Sequence, residues 1–322
     1  MLIQSSSVDR VLDADAVHIA GFTGNPISAT ELKMKTTNTW GQVGIFLALM
    51  VAISSVFYVL MINVGQVDGG DGAYVAGLMW APGLAALLTC RFCHIPLGSL
   101  GWTWGAWRWQ WLAYLIPLTY AALAYGFIWS MGFGRIDPNL AATIRHTFGW
   151  GGVPDALAIG GWFVLVGTTG MVGGAARALG EEIGWRGFLA PRLNARLGFK
   201  GGAIVTGFIW TAWHVPLLLF ADYNNGTPWW YSLGCFTLLV LGVSVIMAWM
   251  RLRSGSLWPA VLLHASHNLF IQNLFTPATS PIGLTTPYAI GEFGFAVPGV
   301  ILIFAIGILV FAKEARGGVL SV

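Results

Sequence analysis

This chain has little charge: only 9% of its 322 residues are Asp, Glu, Lys or Arg, against 56% hydrophobic. Soluble domains carry roughly 25% charge, so a water-covered globular surface is excluded. Cysteine is sparser still. Cys90, Cys93 and Cys235 are too few and too badly spaced for a disulfide framework. A net charge of +3 offers no argument for nucleic-acid binding. Several signatures are missing as well: there is no His-Glu-x-x-His zinc helix and no Gly-Lys-Ser/Thr phosphate loop. The N-terminus lacks the basic start, apolar core and small-residue cleavage site of a signal peptide.

What fills the chain instead is long apolar sequence. Eight segments, at 40–64, 73–92, 109–133, 156–177, 203–220, 230–250, 257–275 and 293–312, each approach the ~20 residues a spanning helix needs. Length alone would suggest two soluble domains, but these runs predict one all-α polytopic membrane helix bundle of about eight transmembrane helices. Tryptophans such as Trp40, Trp107, Trp109, Trp229, Trp230 and Trp258 fall near the segment ends, where amphipathic rings favour the membrane interface. The segments show no strong internal repeat, which weakens an inverted-repeat transporter.

Orientation follows from the basic residues, which cytoplasmic loops retain in excess. With both termini inside, only Arg135 and Arg145 lie outside, whereas the outer loops hold Asp68, Asp71, Asp137, Asp155, Asp222 and Glu292. The organisation is therefore a polar cytoplasmic tail over 1–38, a bundle over 39–316 and a C-terminal tail over 317–322. Cys90-Arg91-Phe92-Cys93-His94 matches a haem-attachment string, but it falls on the cytoplasmic side, wrong for that chemistry. Two buried or interfacial thiols are the expectation there.

Three polar clusters interrupt the apolar sequence. Glu181 and Glu182 are the acids expected in or beside a span, and ionised groups at membrane depth usually face a cavity or a partner. On a helix Glu182 and Arg186 are four residues apart and share a face, while Glu181 points about 100° away. That spacing predicts a division of labour, with Glu182 held charged by Arg186 and Glu181 free to take a proton. The bland alternative is an interfacial charge cluster that anchors a helix end.

His214 lies within the fifth segment, one turn after Trp210 and two residues before Pro216. In lipid a histidine points to a buried functional contact, although Pro216 also frees the Ala212 carbonyl and so allows a purely local role. In the seventh segment His264 and Asn268 share one face and present an imidazole and a carboxamide together. Both side chains can donate to an oxyanion. His267 is expected to serve as a supporting or packing residue.

Taken as one site, these groups suit hydrolysis of an amide by activated water: Glu181 and His214 deprotonate and orient the water, and His264 and Asn268 stabilise the tetrahedral intermediate. No cofactor is required. The alternative is zinc held by His214, His264 and a glutamate with water at the open position. A non-catalytic binding protein or a proton-coupled transporter is the rival function. One difficulty concerns depth, because Glu181 falls near the cytoplasmic end of its segment and His214 some 20 Å up another if both helices are straight. Glycines 170, 173, 174 and 180 are expected to break or tilt the fourth segment and place the acids deeper.

Glu181-Glu182-x-x-x-Arg186, the motif ending in His214, and His264-x-x-x-Asn268 resemble the three motifs of the type II CAAX prenyl endopeptidase and bacteriocin-processing (Abi) family of intramembrane proteases. The resemblance covers roughly residues 176–270. It implies a glutamate-type endopeptidase in which Glu181 and His214 activate water, His264 and Asn268 form the oxyanion hole, and Glu182 and Arg186 support them. It also implies a substrate that is a membrane-associated peptide or protein, prenylated or leader-bearing, and residence in the cytoplasmic membrane of a prokaryote. Some relatives have bacteriocin-immunity or scaffolding roles instead. The family carries Phe four residues before the second-motif histidine where this chain has Trp210, a change that reshapes the cavity wall.

Overall fold

The computed structural model describes residues 39–65, 67 and 72–311, and the expected tails over 1–38 and 317–322 lie outside the described residues. The body of the protein runs from Gln42 onward. Its long helices are α1 (Thr39–Val64), α2 (Ala73–Phe92) and α3 (Trp107–Ser130), followed by a short strand β1 (Gly134–Ile136) and a nine-residue helix α4 (Leu140–Phe148). Then come α5 (Asp155–Glu182), a π-helical segment Ile183–Leu189, α6 (Ala190–Phe220) and α7 (Trp229–Ser254). α8 (Trp258–Asn268) continues into a second π-helical segment, Leu269–Phe275. Strand β2 (Thr279–Pro281), a four-residue helix α9 (Thr286–Ala289) and α10 (Ala296–Phe311) complete the described chain.

The protein is an all-α membrane bundle. Among the described residues five helices are long and apolar enough to cross a membrane, one of them the 66-residue run Asp155–Phe220. All eight apolar segments expected from sequence fall largely in helices, with α10 and α8 the shorter ones. Apolar side chains occupy the exposed faces, as on α1, where Val51, Val56 and Val59 point outward. Phe46, Met50, Ser54 and Met61 form the inward stripe of the same helix, at the three-to-four-residue spacing that one helical face demands. A helix that is apolar all round suits a lipid surroundings, since neither face needs water.

The fourth segment is longer than its hydropathy suggests. It does not end near residue 177, and no glycine breaks α5; the helical path instead runs on through the π-helical segment and reverses at Gly198, whose φ of 69° is left-handed. Both acids therefore lie inside a helical path, away from its ends. Glycines act here through close approach. A Cβ on Gly83 would stand 2.5 Å from the Gly180 carbonyl oxygen, and one on Gly184 would stand 2.5 Å from Pro82 Cβ. Backbone therefore meets backbone where α2 crosses the Glu181–Glu182 turn, the contact that small residues permit between membrane helices.

The connections are more ordered than hydropathy implies. β1 pairs antiparallel with β2, Gly134 opposite Pro281, tying the chain after α3 to the chain after the second π-helical segment. On α4, Leu140 and Ile144 share a face and pack with Ala158 and Ala278. The three cysteines are free, with Cys90 buried as expected.

Candidate active site

The two neighbouring glutamates have different surroundings. Glu182 is fully buried and takes both its oxygens to Arg186 Nη1, at 3.0 and 3.1 Å, the i and i+4 pairing that the helix repeat dictates. His264 Nδ1 also lies 2.8 Å from Glu182 Oε1. Arg186 is buried too, its guanidinium 4.3 Å from the centre of the Trp210 ring, while Nε and Nη2 find no acceptor among the described residues. The ring face thus receives the part of the cation that hydrogen bonds leave uncovered.

Among the described residues Glu181 forms no salt bridge with a cation. Its Oε2 accepts from the indole N–H of Trp185 at 3.1 Å and from that of Trp210 at 2.8 Å. Oε1 accepts nothing from a described side chain, and the residue lines a cavity of about 780 Å³. One oxygen is therefore clamped and the other left free, the arrangement a proton acceptor needs.

Trp210 joins this glutamate to the histidine of the second motif. Its backbone carbonyl lies 2.9 Å from His214 Nδ1. A carbonyl only accepts, so Nδ1 carries the proton and the neutral ring keeps its lone pair on Nε2. A single residue of α6 thus holds Glu181 with its side chain and His214 with its main chain. Sequence singled Trp210 out as a departure from the family pattern but gave no sign of this bond; an indole supplies a donor where phenylalanine has none.

His214, His264, Asn268 and Glu181 all line the same cavity. The depth difficulty disappears because α6 returns from Gly198 alongside the path that carries the acids, bringing Trp210 within hydrogen-bond reach of Glu181. The Asn268 side chain makes no hydrogen bond to another described residue, which leaves its carboxamide available. His267 also lines the cavity, with Nδ1 2.6 Å from the Tyr120 hydroxyl and Nε2 3.0 Å from Glu292 Oε1.

Glu292 is a cavity-lining residue that sequence reasoning did not connect with the candidate site. Assigned to an outer loop, it lies between α9 and α10 but is only 6% exposed and lines the cavity. Its Oε2 accepts from Tyr223 at 2.9 Å, and Oε1 accepts from Gln272 at 3.1 Å as well as from His267. Burial alone would raise its pKa, but the hydrogen bonds from His267, Tyr223 and Gln272 outweigh burial and hold the carboxyl below its ordinary value. An isolated acid in a loop carries no helical or strand spacing that would have revealed its distant partners.

Among the described residues no three His, Cys, Asp or Glu side chains stand together as metal ligands. His264 Nδ1 faces Glu182, and that glutamate is already occupied by Arg186.

Residues 156–270 match the family model described as type II CAAX prenyl endopeptidase Rce1-like. CAAX prenyl protease 2 of Methanococcus maripaludis is 33% identical over 97 residues, covering 28% of this chain and 34% of the relative. The chain thus matches about a third of that relative's length. The resemblance read from the three motifs is borne out, and the matched segment contains Glu181, Glu182, Arg186, His214, His264 and Asn268.

Proposed function

We propose that this chain is an intramembrane endopeptidase of glutamate type, resident in the cytoplasmic membrane of a prokaryote. The observation that carries the reading is the shared cavity: a carboxylate with one free oxygen, an imidazole with a free Nε2, a second imidazole and an unengaged carboxamide all line it. Water held between Glu181 and His214 gives up a proton to the carboxylate and attacks the scissile carbonyl carbon. The carbonyl oxygen becomes an oxyanion, stabilised by Asn268 and by the His264 ring. Collapse of the intermediate breaks the C–N bond, and the captured proton passes to the departing amine.

His264 donates from Nε2 when its ring is also protonated at Nδ1 toward Glu182. That pairing explains why Glu182 and Arg186 support the reaction without lining the cavity. Met61, Leu78 and Met79 make part of the cavity wall apolar, which suits a membrane-associated peptide or protein of the prenylated CAAX or leader-bearing kind. The side chains need no metal for this chemistry.

The test is cleavage of farnesylated CAAX peptides and of leader-bearing peptides by the purified chain in liposomes. Glu181→Ala and His214→Ala should each lower kcat/KM by about 10³-fold or more while leaving the helical fold intact. Cleavage by both variants at the wild-type rate would end the enzyme reading. Activity that survives exhaustive chelation supports the metal-free mechanism, whereas loss restored by added zinc would overturn it.

A further inference from the structure

Glu292 lies outside the matched segment 156–270 and outside the reaction just described, yet it reaches both halves of the site. Through Tyr223 it reaches the water-activating half: the phenol ring stacks on His214 with centroids 5.9 Å apart and planes at 20°. The chain is turned for this purpose at Asp222, which takes a left-handed φ of 56°, and the Tyr223 N–H returns to the Leu217 carbonyl at 3.3 Å. Phe236 closes the edge of both rings, 4.9 Å from His214 and 5.9 Å from Tyr223. With the ring packed, the hydroxyl is fixed by Glu292.

Through His267 the same carboxylate reaches the oxyanion half. His267 is three residues after His264 and directly precedes Asn268, so pinning it between Tyr120 and Glu292 fixes the rotation of α8 about its axis. Gln272 adds a bond from the π-helical segment that follows. Burying a carboxylate costs several kcal/mol unless it is well bonded, and a neutral side chain would fasten a loop at lower cost. The carboxylate is also not needed simply to dock the loops together. Asn225 does that separately, donating to the Ile290 carbonyl at 2.7 Å and the Pro287 carbonyl at 3.2 Å.

We propose that Glu292 is a positioning residue for hydrolysis: by holding Tyr223 and His267 at once it sets the His214 imidazole in register with the His264–Asn268 pair. This inference rests on the proposed peptidase reading, and it also predicts a geometry that can be observed without turnover.

Glu292→Gln keeps the size of the side chain and removes its charge. The variant should lower kcat by about tenfold or more with KM within about twofold, because a small misplacement of reacting groups acts on the chemical step. Tyr223→Phe removes only the hydroxyl and should lower kcat less. The double variant should match Glu292→Gln, since both changes cut the same link. In selectively labelled protein the His214 ring signals should shift in both single variants through the altered ring current of Tyr223. Asn225→Ala, which loosens the loops without touching the carboxylate, should move neither kcat nor those signals.

The proposal is overturned by His214 signals that stay in place in Tyr223→Phe, by a Glu292→Gln kcat within twofold of wild type, or by the same losses in Asn225→Ala. Should Glu292→Gln not fold, Tyr223→Phe decides. A wild-type chain that cleaves no peptide defeats the peptidase reading, and the ring signals then decide the positioning on their own.

Discussion

The two ends of the cavity hold their carboxylates by different means. At one end Glu182 is buried against a guanidinium within its own helical path, and Glu181 beside it is clamped by two indoles. At the other, Glu292 sits in a loop and is bonded to an imidazole, a phenol and a carboxamide, with no arginine or lysine among its partners. The first end joins two i, i+4 pairs within one helical path to two contacts from other helices; the second takes donors from three separate parts of the chain. A local arrangement survives small shifts between helices, whereas a long-range one reports them. On the proposed mechanism the motif end supplies the chemistry, and the loop end is suited to setting the distance between reacting groups.

Breaking the compensated pair should have the largest effect of three. Arg186→Met leaves Glu182 buried without its cation and should destabilise the fold by about 3–5 kcal/mol, read by denaturant unfolding in detergent. Adding Glu182→Gln should recover part of that loss, because the stranded charge is then gone. Full additivity of the two losses would mean that the pair is not coupled.

A smaller effect is expected at the indole clamp. Trp210→Phe deletes the donor that reaches Glu181 from α6 while keeping an aromatic ring beside Arg186. Hydrogen bonds to charged groups contribute about 1.5–3 kcal/mol, so kcat/KM should fall by roughly 10- to 150-fold by the same conversion. Trp185→Phe, which removes a contact inside the same helical path, should lower it less, because α6 would still hold the glutamate. Equal rates in Trp210→Phe and wild type would show that the clamp does not orient Glu181.

The smallest effect concerns Glu292 and pH. Its folded pKa is held below the ordinary value of 4.5, so its contribution to stability is present above that value and is lost as pH falls through the folded pKa. Unfolding measured from pH 7 downward should therefore show wild type losing stability in the acid range relative to Glu292→Gln. Parallel curves for the two proteins would show that the hydrogen bonds around Glu292 do not favour its ionised form.

How much of this was legible beforehand differs sharply between residues. Glu182 with Arg186, and the common face of His264 and Asn268, follow from the helix repeat and were readable from spacing alone. His267 was expected to be a supporting or packing residue, but its partners Tyr120 and Glu292 were not readable from spacing. The fourth segment was read too short, because hydropathy fades at residues 177–202 while the helical path does not. The burial of Glu292 was missed because its donors lie 20 to 69 residues away, and no local spacing brings them together.

The letters alone determined that the chain lives in a membrane as helices, and which side chains within a helix turn share a face. Those properties depend on transfer out of water and on the 3.6-residue repeat, both local to a segment. Tertiary structure alone decided that Trp210 meets Glu181, that His214 is covered by Tyr223, and that an acid from the last loop joins the cavity. Such contacts depend on where helices cross and where the chain turns back, which glycine contacts at residues 83, 180 and 184 and the reversal at Gly198 set, and no periodicity encodes.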